Sequence, residues 1–79
     1  MARQTKSASE IQRIVSERIH AIREVRDDEV TIPVPEPQWH APGPDGANWD
    51  MPVFRNITGH ETAVIAIVAR ARDEYELAK

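Results

Sequence analysis

Thr58-Gly59-His60-Glu61-Thr62-Ala63-Val64-Ile65-Ala66-Ile67-Val68-Ala69-Arg70-Ala71-Arg72-Asp73-Glu74-Tyr75 is the stretch that decides the fold. Its centre, Ala63 to Ala69, is an apolar run of seven residues rich in β-branched side chains, so a buried strand is one reading. Three features favour a helix. Thr58 and Glu61 have the T-x-x-E spacing of a capping box. Val64, Ile67, Val68, Ala71 and Tyr75 recur at helical intervals. The alanines carry high helix propensity. The spacing therefore predicts a helix from Glu61 to about Leu77. Ile65, Ala66 and Ala69 widen its apolar face well beyond one stripe, which implies burial on more than one side. From this we expect a homodimer through helix 61–77.

A second helix opens the chain. Ser7-Ala8-Ser9-Glu10 is another capping box, and Ile11, Ile14, Val15, Ile19, Ile22 and Val25 follow on one helical stripe. Asp27-Asp28-Glu29 places negative charge where the helix dipole is already negative, so this helix should end near Arg26. Residues 1–6 are polar and expected to be disordered.

Between the helices the chemistry changes. All six prolines lie between positions 33 and 52. Val30-Thr31-Ile32-Pro33-Val34-Pro35-Glu36-Pro37 alternates, with Val30, Ile32 and Val34 able to face a core. Prolines 33, 35 and 37 remove the amide donors from one edge only, which reads as an edge strand, or as polyproline II if nothing pairs with it. Pro42-Gly43-Pro44-Asp45-Gly46 has the residues of a type I turn, with proline presetting φ. Trp49 to Phe54 is apolar enough for a second strand. The expected fold is a single α+β domain over 7–79, in the order α–β–β–α. Two amphipathic helices pack on a short two-stranded antiparallel ribbon, 30–35 with about 49–55, around a Pro/Gly-rich loop 36–48.

The chain has 79 residues and no cysteine, which rules out disulfides and thiolate metal sites. A domain this small has few residues left for a deep cleft once its core is filled. Net charge is −3, unevenly spread. Residues 1–26 carry six basic and three acidic groups; residues 27–54 carry six acids and no Lys or Arg; residues 55–79 balance at four each. No apolar run approaches the roughly 20 residues needed to span a bilayer, and the basic start has no apolar segment behind it, so no membrane association and a cytoplasmic location are expected.

No pattern points to catalysis. His60-Glu61-Thr62-Ala63-Val64 begins like a zinc-protease helix but has Val64 where the second ligand histidine must stand. The evenly spaced His20, His40 and His60 carry no coordination logic, and Asp45 to Asp50 lacks the calcium-loop pattern. His60 itself is expected to face solvent or cap its helix. No enzyme activity, metal or cofactor is expected. The unusual segment is Gln38-Trp39-His40…Asn48-Trp49-Asp50, where both tryptophans of the chain flank the loop. Trp49 is the candidate core residue. Trp39, with Glu36, His40, Asp45 and Asp50, would make an acidic aromatic surface suited to an Arg-rich protein partner. The alternative is nucleic-acid binding through Arg13, Arg23 and Arg26 of the first helix, with Arg18 on the flank of the apolar stripe.

Asn48-Trp49, Val53-Phe54-Arg55, then Gly59, Glu61, Ala63, Val68, Ala71-Arg72 and Tyr75 resemble short uncharacterised proteins encoded in phages and prophages of proteobacteria. The resemblance covers about two thirds of the chain. It implies a mobile-element accessory protein in a bacterial cytoplasm, and it transfers no activity and no site residues.

Overall fold

The computed structural model describes residues 3–29, 31–51, 54–55 and 57–78. In chain order the elements are β1 (Gln4–Lys6), α1 (Ala8–His20), α2 (Arg23–Asp27), β2 (Gln38–Trp39), β3 (Trp49–Asp50), α3 (Glu61–Glu74) and β4 (Tyr75–Leu77). The mixture of helices and strands is α+β. The order is not the simple α–β–β–α of the sequence reading, because two strands form at the chain's ends.

α1 starts as its sequence dictates. The Ser7 hydroxyl accepts from the Glu10 amide at 3.2 Å, and the Glu10 carboxylate accepts from the Ser7 amide at 3.3 Å. Ile11, Val15 and Ile19 are fully buried. The helix does not run unbroken to Arg26. Ile22 is extended (φ −64°, ψ 128°), and α2 restarts from it, keeping Val25 in the core. Glu29, at φ 54°, takes the left-handed conformation just past α2, where glycine is the usual residue.

α3 also differs at both ends from expectation. His60, not Thr58, is the residue before its first turn, and no side chain caps it. The Glu61 carboxylate accepts from the Gly59 amide, at 2.6 Å to one oxygen. At the other end the helix stops at Glu74, and Tyr75 to Leu77 become a strand. That strand pairs in parallel with β1, Gln4 opposite Tyr75 and Lys6 opposite Leu77. Of residues 1–6, expected to be disordered, Met1 and Ala2 lie outside the described residues and 4–6 are paired backbone; the Ala78 amide extends the ladder to the Lys6 carbonyl at 2.8 Å.

Of the expected second strand, about 49–55, only Trp49–Asp50 is a strand among the described residues, and its partner is not the expected one. β3 pairs antiparallel with β2, at residues 38–39, not with 30–35. Val30 of the expected first strand, and Pro52 and Val53 of the expected second, lie outside the described residues. Among the described residues no strand pairs with Thr31 to Pro37, yet the alternation holds: Ile32 is buried, Val34 packs on the core, and Thr31 and Pro33 are exposed. Side chains of α1 take the place of a neighbouring strand. His20 Nε2 accepts from the Ile32 amide at 3.0 Å, and Gln12 Nε2 donates to the Val34 carbonyl at 2.7 Å. Prolines had already removed the donors that a second ladder would need.

One core joins these parts. Ile11, Val15, Ile19, Val25, Ile32, Trp49, Met51, Val64, Val68, Ala71 and Leu77 form it, and Trp49 is the largest fully buried side chain.

Candidate functional site

The segment that carries the site residues is a hairpin. The Gly46 amide donates to the Gly43 carbonyl at 2.9 Å, closing a turn with Pro44 and Asp45 in its middle. Gly46 has φ +83°, and the Gly43 amide bonds the Ala47 carbonyl at 3.1 Å. This is a type I turn followed by a left-handed glycine, a three-residue hairpin connection that matches the twist of the strands. The His40 amide then bonds the Asn48 carbonyl at 2.8 Å, and the β2–β3 pair follows.

The rest of the molecule holds this hairpin from three sides. Arg72 of α3 donates through Nε to the Trp49 carbonyl at 2.9 Å and pairs through Nη2 with Asp45 Oδ2 at 3.2 Å. Arg3 donates through Nη2 to the Asp45 carbonyl at 2.8 Å and through Nε to the Arg72 carbonyl at 2.7 Å. Its guanidinium covers Gly46 so closely that a Cβ there would meet Nη1 at 2.8 Å. Trp49 Nε1 donates to the Tyr75 carbonyl at 3.0 Å. The side-chain amide of Asn48 completes the β4 edge by bonding both backbone groups of Leu77.

This clasp sorts the expected site residues. Asp45 belongs to it. Its carboxylate is held below the usual range, first by the Ala47 amide donating to Oδ1 at 3.1 Å, then by the positive charges of Arg72 and Arg3. Its charge is thus met by Arg72 and Arg3, while its side chain stays exposed at the hairpin tip. Trp49 is fully buried, as read from the sequence. Trp39 is 46% exposed. Register places Trp39 opposite Trp49, and Gln38 opposite Asp50. Opposed residues share a ribbon face and neighbours alternate, so Trp39 lies on the core-side face and Asp50 on the outer one. Glu36 and Asp50 are exposed, and His40 is half-buried with Nδ1 2.7 Å from the Ala41 carbonyl. The structure therefore does not merge Trp39 and Asp50 into one flat patch. They border opposite sides of a thin ribbon.

The alternative site is dispersed. Arg13, Arg23 and Arg26 are exposed, but they are divided between α1 and α2, and Arg23 pairs with Asp27 at 3.8 Å. Arg18 is engaged elsewhere. It bonds Glu74, which raises its pKa further, and lies 5.7 Å from the centre of the Tyr75 ring. His60, expected at the surface or as a cap, is buried, with Nε2 3.0 Å from Asp28 Oδ2, and so links the end of α2 to the start of α3. Among the described residues no group of three or more His, Cys, Asp or Glu could hold a metal ion, and no helix is long and apolar enough to cross a membrane.

A groove was not anticipated. It lies between α3 and the segment after β3, has a volume of about 280 Å³, and is walled by Met51, Phe54, Ile57, Val64, Ile65 and Val68. Asp50 and Arg72 stand among its lining residues. The run of apolar residues was visible in the sequence; which of them a groove leaves open was not. Comparison with protein families, curated proteins and solved structures finds no match to this chain.

Proposed function

We propose that this chain is a non-enzymatic interaction protein that contacts a basic protein partner through the hairpin at residues 36–50. The observation that carries the proposal is a large aromatic side chain, Trp39, 46% exposed on a hairpin that the core already holds in shape. Such preorganisation lowers the entropy lost on binding. An exposed tryptophan on a fixed loop is the kind of anchor that dominates protein contacts. Glu36 and Asp50 add acidic groups to the same segment, which has no Lys or Arg between residues 27 and 54. Arginine side chains stack on aromatic rings and pair with carboxylates, so an Arg-rich partner that grips the hairpin can meet Trp39 on one face and Asp50 on the other. Under the phage resemblance the partner is a host or phage protein, and the chain modulates it in the bacterial cytoplasm.

The test uses a defined probe first. An Arg-rich peptide titrated into the full chain should change Trp39 fluorescence, and Trp39→Ala should abolish binding while leaving thermal stability nearly unchanged. Affinity capture from a bacterial lysate should then lose the same partner on Trp39→Ala. Loss of folding in that variant would make Trp39 structural and sink the proposal. Duplex DNA serves as the competing ligand. Binding through Arg13, Arg23 and Arg26 would weaken steeply with salt, with a slope of about −0.9 per phosphate neutralised.

A further inference from the structure

Two imidazoles hold the chain between α2 and the proline-rich segment, and they answer protonation differently. At the start of α3, His60 Nε2 lies 3.0 Å from Asp28 Oδ2. A carboxylate oxygen accepts, so Nε2 carries a proton there whether the ring is neutral or charged. At the end of α1, His20 is used the other way. Its Nδ1 lies 2.8 Å from the Ser16 carbonyl, which only accepts, and its Nε2 accepts from the Ile32 amide at 3.0 Å. Those two contacts together require the neutral ring. A second proton, on Nε2, would point at the Ile32 N–H, donor against donor.

We infer that His20 is an acid-released latch on the proline-rich segment. The unprotonated ring holds residues 31–37 against α1; protonation lets the Ile32 amide go, while Asp28 stays bonded to His60. Among the described residues, the hydrogen bond then left between the segment and α1 is that from Gln12 Nε2 to the Val34 carbonyl. The Ile32 side chain is buried in the core, so the opening is local rather than a loss of the fold. Charged groups of both signs stand about the ring. Glu17 precedes it by three residues on α1, and Arg23 and Glu24 open α2. The packed segment brings Glu36, and Asp28 with His60 closes the far end of the stretch. Among the described residues none of these bonds the ring, whose partners are the Ser16 carbonyl, the Ser16 hydroxyl and the Ile32 amide. The latch uses none of the residues that carry the hairpin contact, apart from Glu36 nearby, and either proposal can fail alone.

Nuclear magnetic resonance of the full chain from about pH 8 to about pH 5, the span over which imidazoles change charge, tests it. The Ile32 amide resonance should move with the His20 ring resonances and share their midpoint. Its exchange protection should fall about tenfold or more in acid relative to the Val15 amide of the core. His20→Gln offers a side-chain oxygen that accepts the same amide without titrating, and should keep Ile32 protected at both ends of the range. Asp28→Asn keeps an acceptor for His60 and should leave the Ile32 response intact. An Ile32 amide in the wild type that ignores the His20 titration overturns the inference, whether or not the variants fold. So does a His20→Gln protein in which Ile32 still loses protection in acid. A response abolished by Asp28→Asn would place the acid sensitivity at His60 and overturn it equally.

Discussion

Asn48 and Leu77 exchange two hydrogen bonds across 29 residues of sequence: Asn48 Nδ2 donates to the Leu77 carbonyl at 3.0 Å, and the Leu77 amide donates to Asn48 Oδ1 at 2.9 Å. One side chain thereby imitates a strand neighbour for β4, whose other edge is taken by β1. Both residues are buried, so neither backbone group of Leu77 has water as a substitute.

Asn48→Ala should leave the Leu77 amide and carbonyl unsatisfied and cost about 2–4 kcal/mol. Asn48→Asp keeps the acceptor but sets a carboxylate against the Leu77 carbonyl, and should be at least as damaging at neutral pH. Urea unfolding followed by tryptophan fluorescence measures both. A loss below about 0.5 kcal/mol for Asn48→Ala would show that the β4 edge does not depend on this amide.

His20 joins α1 to the proline-rich segment. Nδ1 lies 2.8 Å from the Ser16 carbonyl and must carry the proton, which leaves Nε2 free to accept from the Ile32 amide at 3.0 Å. His20→Ala removes that acceptor from a chain stretch with no strand partner among the described residues. The expected cost is about 1–3 kcal/mol, with hydrogen exchange at the Ile32 amide rising well beyond the global change. Equal exchange at Ile32 in both proteins would mean that the segment is held by packing alone.

Acid should weaken the protein through Asp45 and Glu10. Both carboxylates have folded-state pKa values below their ordinary ones, Asp45 chiefly through the Ala47 amide and Glu10 chiefly through the Ser7 amide. A depressed carboxylate pKa means that the unfolded chain binds the proton more readily. The stabilising contribution is therefore complete above the ordinary range near about pH 4 and fades as pH falls through the folded-state values. Asp45→Asn should make the acid limb of the stability curve shallower. An unchanged limb, measured by thermal melts from about pH 2 to pH 7, would remove Asp45 from the clasp.

Two left-handed residues give opposite expectations. Gly46→Ala puts a Cβ at φ +83° and against the Arg3 guanidinium, and should cost about 1–2 kcal/mol from backbone strain. Glu29→Gly relieves a left-handed glutamate after α2 and should stabilise by up to about 1 kcal/mol. Chemical denaturation of the two variants reads both signs.

Much of the candidate site could be read before folding, and part could not. Trp49 as core and the Pro44-Asp45-Gly46 turn followed from residue types alone, because turn chemistry is local. That Asp45 stands against Arg3 and Arg72 could not be read, because these partners lie 42 and 27 positions away in sequence.

The sequence by itself determined the two long helices, the start of α1, and the inability of residues 31–37 to pair on both edges. Periodicity, capping side chains and missing proline amides act over a few residues and need no distant partner. Only the tertiary structure decided that β1 and β4 pair in parallel, that α1 breaks at Ile22, that β2 replaces residues 30–35 as the partner of β3, and that a groove opens beside Ile65. Those outcomes depend on which surfaces meet once the core closes around Trp49, and contacts between residues so far apart leave no local period to read.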